Sequence, residues 1–195
     1  MGATGDQGGR ACGEVGGWVG GGGRACWQWF NHGDTENAET PRDGGYYHVV
    51  ALDIFSPEFP LMQAVAGRVV TREAAEGYDA LSLDEQVYFL VWMADGEVNN
   101  GGMHAVCYNS TGDYLREFPE AFRAIGSPER AALFEALIEL FGPDGPPRDH
   151  AGREEQHEAM SDEVHEQIDA LDHAYYSIDD DLEGRLWRLA EVIVG

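Results

Sequence analysis

The chain has 195 residues, 43% of them hydrophobic, which is enough for one domain with its own core and too many for a wholly disordered chain. Asp and Glu number 36 against 12 arginines and no lysine, for a net charge of −24. A field of that sign repels nucleic acid and anionic membranes and attracts basic proteins, so direct binding to nucleic acid or a membrane is excluded as a function.

Residues 1–45 differ from the rest. Gly20-Gly21-Gly22-Gly23 and many further glycines make this stretch costly to order, and it reads as a disordered tail in which Trp27, Trp29 and Phe30 form an aromatic knot. Cys12, Cys26 and His32 lack paired C-x-x-C spacing and are not assigned as metal ligands. From Tyr46 to residue 195 the chain reads as one all-helical domain. Tyr46 to Phe55 is short and apolar, so helix and strand cannot be separated there. Ser82-Leu83-Asp84-Glu85 is a capping box opening a helix to about Ala94. The apolar run Val87 to Met93 covers all sides of that helix and marks it as the central buried one.

A Gly/Asn loop is expected to follow, since Asn100-Gly101-Gly102 tolerates positive φ, with Glu97 and Asn99 bonding loop amides. Pro119 restarts a helix with Phe118, Phe122 and Ile125 inward and Gly126 as the stop. Ser127-Pro128-Glu129 supplies a cap, a proline at the first helical position and an acid for the next helix, which Gly142-Pro143 ends. A single long helix is predicted from about Asp149 to Tyr176, burying Met160, Val164, Ile168, Leu171 and Tyr175. A last helix spans Leu182 to Val194.

The long helix concentrates charge. Glu154, Glu155, Glu158, Asp162, Glu163, Glu166, Asp169 and Asp172 contain no basic residue among them. Over ~28 Å of helix they place one charge per ~3.5 Å, close to the ~3.4 Å per phosphate of one DNA strand. Asp179, Asp180 and Asp181 continue the field. Imitating a duplex needs a second acidic row, which a homodimer would provide. Like charges four apart, such as Glu158 with Asp162, destabilise a helix, so a helix carrying them unrelieved is expected to use them.

The string Glu97-Val98-Asn99-Asn100-Gly101-Gly102, then Asn109-Ser110, Ile125-Gly126 and Phe141-Gly142, resembles the bacterial family typified by DNA mimic protein nineteen, otherwise a domain of unknown function. Leu171-Asp172 with Tyr175-Tyr176 is similar to that family's C-terminal stretch, and the likeness covers roughly residues 58 to 195. Met103 stands where the family has Phe, and Ala105-Val106-Cys107 where it has Gln-Tyr-Phe. The resemblance implies an all-helical, often dimeric domain with no known catalytic role, in which at least one member is a decoy for double-stranded DNA toward a helix-turn-helix repressor.

The expected function is therefore a non-enzymatic acidic protein that binds a basic, DNA-binding protein through Glu154 to Asp172 and Asp179 to Asp181. Two alternatives stay open: an immunity-type or regulatory protein that blocks one partner by shape, and a metal-binding helical protein using Glu154, His157 and His165. Glu154-x-x-His157 and Asp162-x-x-His165 match the Glu-x-x-His spacing of di-iron bundles, but those draw on further helices and no matching Glu pair is found, so no metal or cofactor is assigned. Neither Gly-x-Ser-x-Gly nor His-Glu-x-x-His occurs, and no catalytic residue is assigned, although His104 and Cys107 stand three apart at helical spacing. The three cysteines, an odd number, argue against a disulfide framework. No apolar run approaches the ~20 residues of a membrane span, and the start lacks a signal-peptide pattern. A cytoplasmic protein is expected.

Overall fold

A computed structural model describes residues 57–195. The glycine-rich stretch to residue 45, with its aromatic knot, Cys12, Cys26 and His32, and the segment Tyr46 to Phe55 lie outside the described residues. Within them there are seven α-helices and no strands: α1 (Phe59–Glu76), α2 (Leu83–Tyr108), α3 (Phe118–Ala124), α4 (Pro128–Leu140), α5 (His150–Glu158), α6 (Asp162–Tyr176) and α7 (Leu182–Val194). Short 3-10 turns at Tyr78–Ala80 and Ser110–Tyr114 flank α2. No helix here is long and apolar enough to cross a membrane.

The domain is built around α2. Its capping box forms as expected: Glu85 N–H donates to Ser82 Oγ at 3.3 Å, and Ser82 N–H to Glu85 Oε2 at 2.9 Å. Tyr88, Phe89, Leu90, Val91 and Trp92 are all buried, because α1, α3, α5, α6 and α7 all pack on this helix. The first of these neighbours, α1, was not singled out by the sequence. It enters through Pro60, buries Met62, Val65, Ala66 and Val69, and ends at Gly77 with φ of 90°.

Three expectations are corrected. First, α2 does not stop at Ala94. It runs through Glu97, Val98 and Asn99 and kinks only at Gly101 and Gly102 before continuing to Tyr108. Gly102 takes φ 73° and ψ −173°, a combination essentially reserved for glycine, and this lets one helix turn a corner where a loop was expected. Second, Ser127 does not cap α4 through its side chain; its hydroxyl donates to Asp180. Third, the helix predicted over Asp149 to Tyr176 is two helices. Ser161 adopts an extended backbone, with Asp162 and Glu163 in the first turn of α6, so a fresh helix start interrupts the periodicity. The break also relieves the register that would set Glu158 against Asp162.

Candidate functional site

The acidic surface is best built from α6. Ile168 and Tyr175 are buried on its inner side. At about 100° per residue, Asp162, Glu166 and Asp169 fall within an arc of about 60° on the opposite side. All three are exposed, as is Glu163, about 60° further round the helix. These four carboxylates occupy ~10.5 Å of axis, one per ~3.5 Å. The expected charge density survives, but on one helix of roughly a third the expected length. On α5 the outward acids are Glu155 and Glu158. Ser161, freed from capping, hydrogen-bonds the Glu163 carboxylate and holds it below the usual carboxylate range.

Compensation decides whether such a ridge is available to a partner. Among the described residues no arginine pairs with Glu155, Glu158, Asp162, Glu163 or Glu166, while Asp169 Oδ1 meets His104 Nε2 at 3.2 Å. Every described arginine is engaged elsewhere. Arg72 bridges to Glu85 and Glu76, Arg123 to Glu135, and Arg148 to Glu117. Arg68, Arg116 and Arg185 donate to main-chain carbonyls. Arg153, fully buried, donates to the Cys107 and Asn109 carbonyls at the end of α2 at 2.9 and 2.7 Å, and bridges to Asp113 at 2.8 Å. That places a cation on the negative end of a helix dipole.

The remaining acids assigned to the surface do other work. Asp180 is largely enclosed and bridges to Arg130 at 3.1 Å, so it is neutralised. Asp181 caps α7 by accepting from Gly184 N–H at 3.1 Å and pairs with Arg188. Glu154 takes a hydrogen bond from Tyr108, whose pKa that carboxylate raises. Asp172 accepts from Met103 N–H at 3.1 Å; burial pushes its pKa up, and the amide bond opposes this. Only Asp179 of the trailing acids stays exposed and without an arginine partner among the described residues.

Asp172 links the ridge to the kink. Gly102 ends the first half of α2, and the Met103 amide that opens the second half finds its acceptor on α6. One turn further on, the Tyr176 hydroxyl donates to Val98 O at 2.6 Å, on the near side of the kink. Tyr175 reaches Asp95 at 2.7 Å from within the core. Glu97, fully buried, does not bond loop amides; it accepts from Asn109 Nδ2 at 2.6 Å and Thr111 Oγ1 at 2.8 Å, joining α2 to the turn after it. Asn99 donates back to the Asp95 carbonyl at 2.8 Å, and Asn100 is exposed. The Glu97-to-Gly102 string and the Asp172–Tyr176 segment are therefore two halves of one brace.

The family model described as DMP19-like protein matches residues 79–193, from the turn before α2 to the last turns of α7. The chain belongs to the DMP19-like family. No curated protein and no solved structure matches it. The DMP19-like region contains the whole brace and both acidic helices and leaves out α1, which packs on α2 and α7 from outside it.

Sequence reasoning offered His157 and His165 as metal ligands beside Glu154 but did not bring His104 to them. His104 on the second half of α2, His157 near the end of α5 and His165 in the first turn of α6 converge, with ring centroids 5.2, 5.4 and 5.0 Å apart. In an unbroken helix His157 and His165 would be separated by ~12 Å along the axis. The break at Ser161 brings them together. Burial, then the neighbouring His104 and His165, lowers the pKa of His157. Burial pushes the Cys107 thiol up to about 12, and the ring nitrogens of His104 meet His157 and Asp169.

Proposed function

We propose that this DMP19-like chain is a non-catalytic acidic regulator. It binds a basic, DNA-binding protein and occupies its DNA-binding surface with the outward carboxylates of α5 and α6. The observation that carries this reading is the uncompensated ridge: Glu155, Glu158, Asp162, Glu163 and Glu166 face outward, while the arginines of the described residues are all held by other groups. Membership of the DMP19-like family supports the same reading. A ridge ~10.5 Å long matches a few phosphates of one strand in spacing, so a partner's groove would be filled by α5 and α6 together or by two copies of the chain.

The test is capture of basic partners on the immobilised full chain, followed by elution with duplex DNA and by a salt titration. Duplex DNA displaces the partner, and raising salt from about 50 to about 200 mM weakens binding by at least about tenfold. The triple variant E158K/D162K/E166K, which leaves the core untouched, loses the partner. Binding that survives both the salt titration and the charge reversal overturns the decoy reading and leaves recognition by shape.

A further inference from the structure

We propose that His104, His157 and His165 form a binding site for one divalent transition-metal ion, zinc or a borderline neighbour such as cobalt or nickel, with Asp169 holding His104 from behind. The inference is independent of the decoy reading. One ring nitrogen from each histidine lies within 4.8 Å of the other two, and His104 Nδ1 stands 3.0 Å from His157 Nε2. Zinc–nitrogen bonds of ~2.0–2.1 Å in a tetrahedral site set nitrogens about 3.3–3.4 Å apart, within the range these rings already span. An ion enters with small side-chain rotations.

The feature beyond a chance cluster lies on the far side of His104. Its Nδ1 faces His157 Nε2, while its Nε2 meets Asp169 Oδ1 at 3.2 Å. A carboxylate on the second ring nitrogen fixes the tautomer and makes the inward nitrogen a better donor, as in carboxylate–histidine–metal triads. Asp169 lies one turn after His165 on α6, so one helix supplies both a ligand and the orienting group. Three imidazoles with a partly open side leave a fourth position for water or an added ligand. Nitrogen donors alone select borderline ions over magnesium or calcium. Three separate helices meet at this point, so a bound ion would tie the α5–α6 elbow onto α2.

The experiment uses the full chain stripped with a chelator. Zinc titrated by calorimetry gives one equivalent with the affinity of a three-histidine site. Melting temperature rises by roughly 5–10 °C at zinc about a hundredfold above Kd. Cobalt gives visible d–d bands with no sulfur-to-metal charge transfer, which separates this site from the chain's cysteines. H104A and H157A each lose the equivalent. D169N keeps the stoichiometry and weakens binding about 10- to 100-fold. Should H157A fail to fold by circular dichroism, H165Q at the first turn of α6 replaces it, with the same loss expected. No zinc equivalent in the wild-type chain, binding that persists in H104A, or a thiolate charge-transfer band with cobalt overturns the proposal.

Discussion

Replacing Gly102 by alanine tests the idea that the Asn-Asn-Gly-Gly string is a built corner in a helix. At φ 73° and ψ −173° a Cβ is strained, which costs on the order of 1–3 kcal/mol. The same Cβ would lie 2.9 Å from Asp172 Oδ2, and Asp172 cannot yield without loosening the carboxylate that accepts the Met103 amide. Hydrogen bonds to charged groups contribute about 1.5–3 kcal/mol. Because Asp172 is only partly buried and can swing, about 1 kcal/mol of that is a reasonable share. The expected cost of G102A is therefore about 2–4 kcal/mol, read from urea unfolding followed by circular dichroism at 25 °C. The two parts separate in a cycle with D172A. Removing the carboxylate abolishes the clash but not the strained dihedral, so the double variant should be more stable than the sum of the single losses predicts. A loss below about 0.5 kcal/mol for G102A, or strict additivity with D172A, would refute the brace.

Three further outcomes follow from the same structure. E97A strands Asn109 Nδ2 and Thr111 Oγ1 in the core and should cost about 2–4 kcal/mol in the same unfolding assay, with E97Q costing less because its amide oxygen still accepts. R153M, similar in length, leaves the Cys107 and Asn109 carbonyls without their donor and should destabilise by about 3 kcal/mol or more, against little change for the exposed R148M. Hydrogen bonds from Ser82, first from its backbone, hold the Glu85 pKa down despite burial, with Arg72 adding to the effect. That stabilisation is fully present above the unfolded carboxylate pKa of about 4.3. It is lost as pH falls through the depressed folded value, so the gap in melting temperature between wild type and E85Q should close on acidification below about pH 4.

The parts of the fold that were legible in the sequence are those set by neighbours close in the chain. The capping box at Ser82, the all-round apolar stretch that follows, and both ends of α7 depend on contacts three or four residues apart, and periodicity reports them. The break between α5 and α6 also had a local signal, a serine followed by two acids, but an apolar stripe from Met160 to Tyr175 ran through it in helical register and outweighed it. Likewise α1 carries its apolar positions at 62, 65, 66 and 69 behind Pro60, a pattern that was present and not used. What the sequence could not show is what crosses the fold. Asp180 looks like one more surface acid until Arg130, 50 residues away, is found beside it. His104 looks like a helical neighbour of Cys107 until the elbow delivers two more rings to it.

The family string and the acidic ridge make separate demands on the protein. Glu97, Gly102, Asp172 and Tyr176 bend α2 and lock α6 against the bend, and none of them needs a partner to explain it. A chain could keep that brace and lose Asp162, Glu163 and Glu166 without disturbing the core, because these exposed carboxylates lie away from Ile168 and Tyr175. The brace nonetheless decides how the ridge is presented. Asp172 and Tyr176 hold α6 at a fixed place along α2, while the elbow at Ser161 sets the direction from which α5 adds Glu155 and Glu158. Reversing charge on the ridge should therefore abolish partner binding at a cost of no more than about 1 kcal/mol in stability, from the lysine at the start of α6, whereas loosening the kink should weaken both. That asymmetry is the behaviour expected of a surface carried by a scaffold, and it would not arise if the acids were themselves part of what holds the fold together.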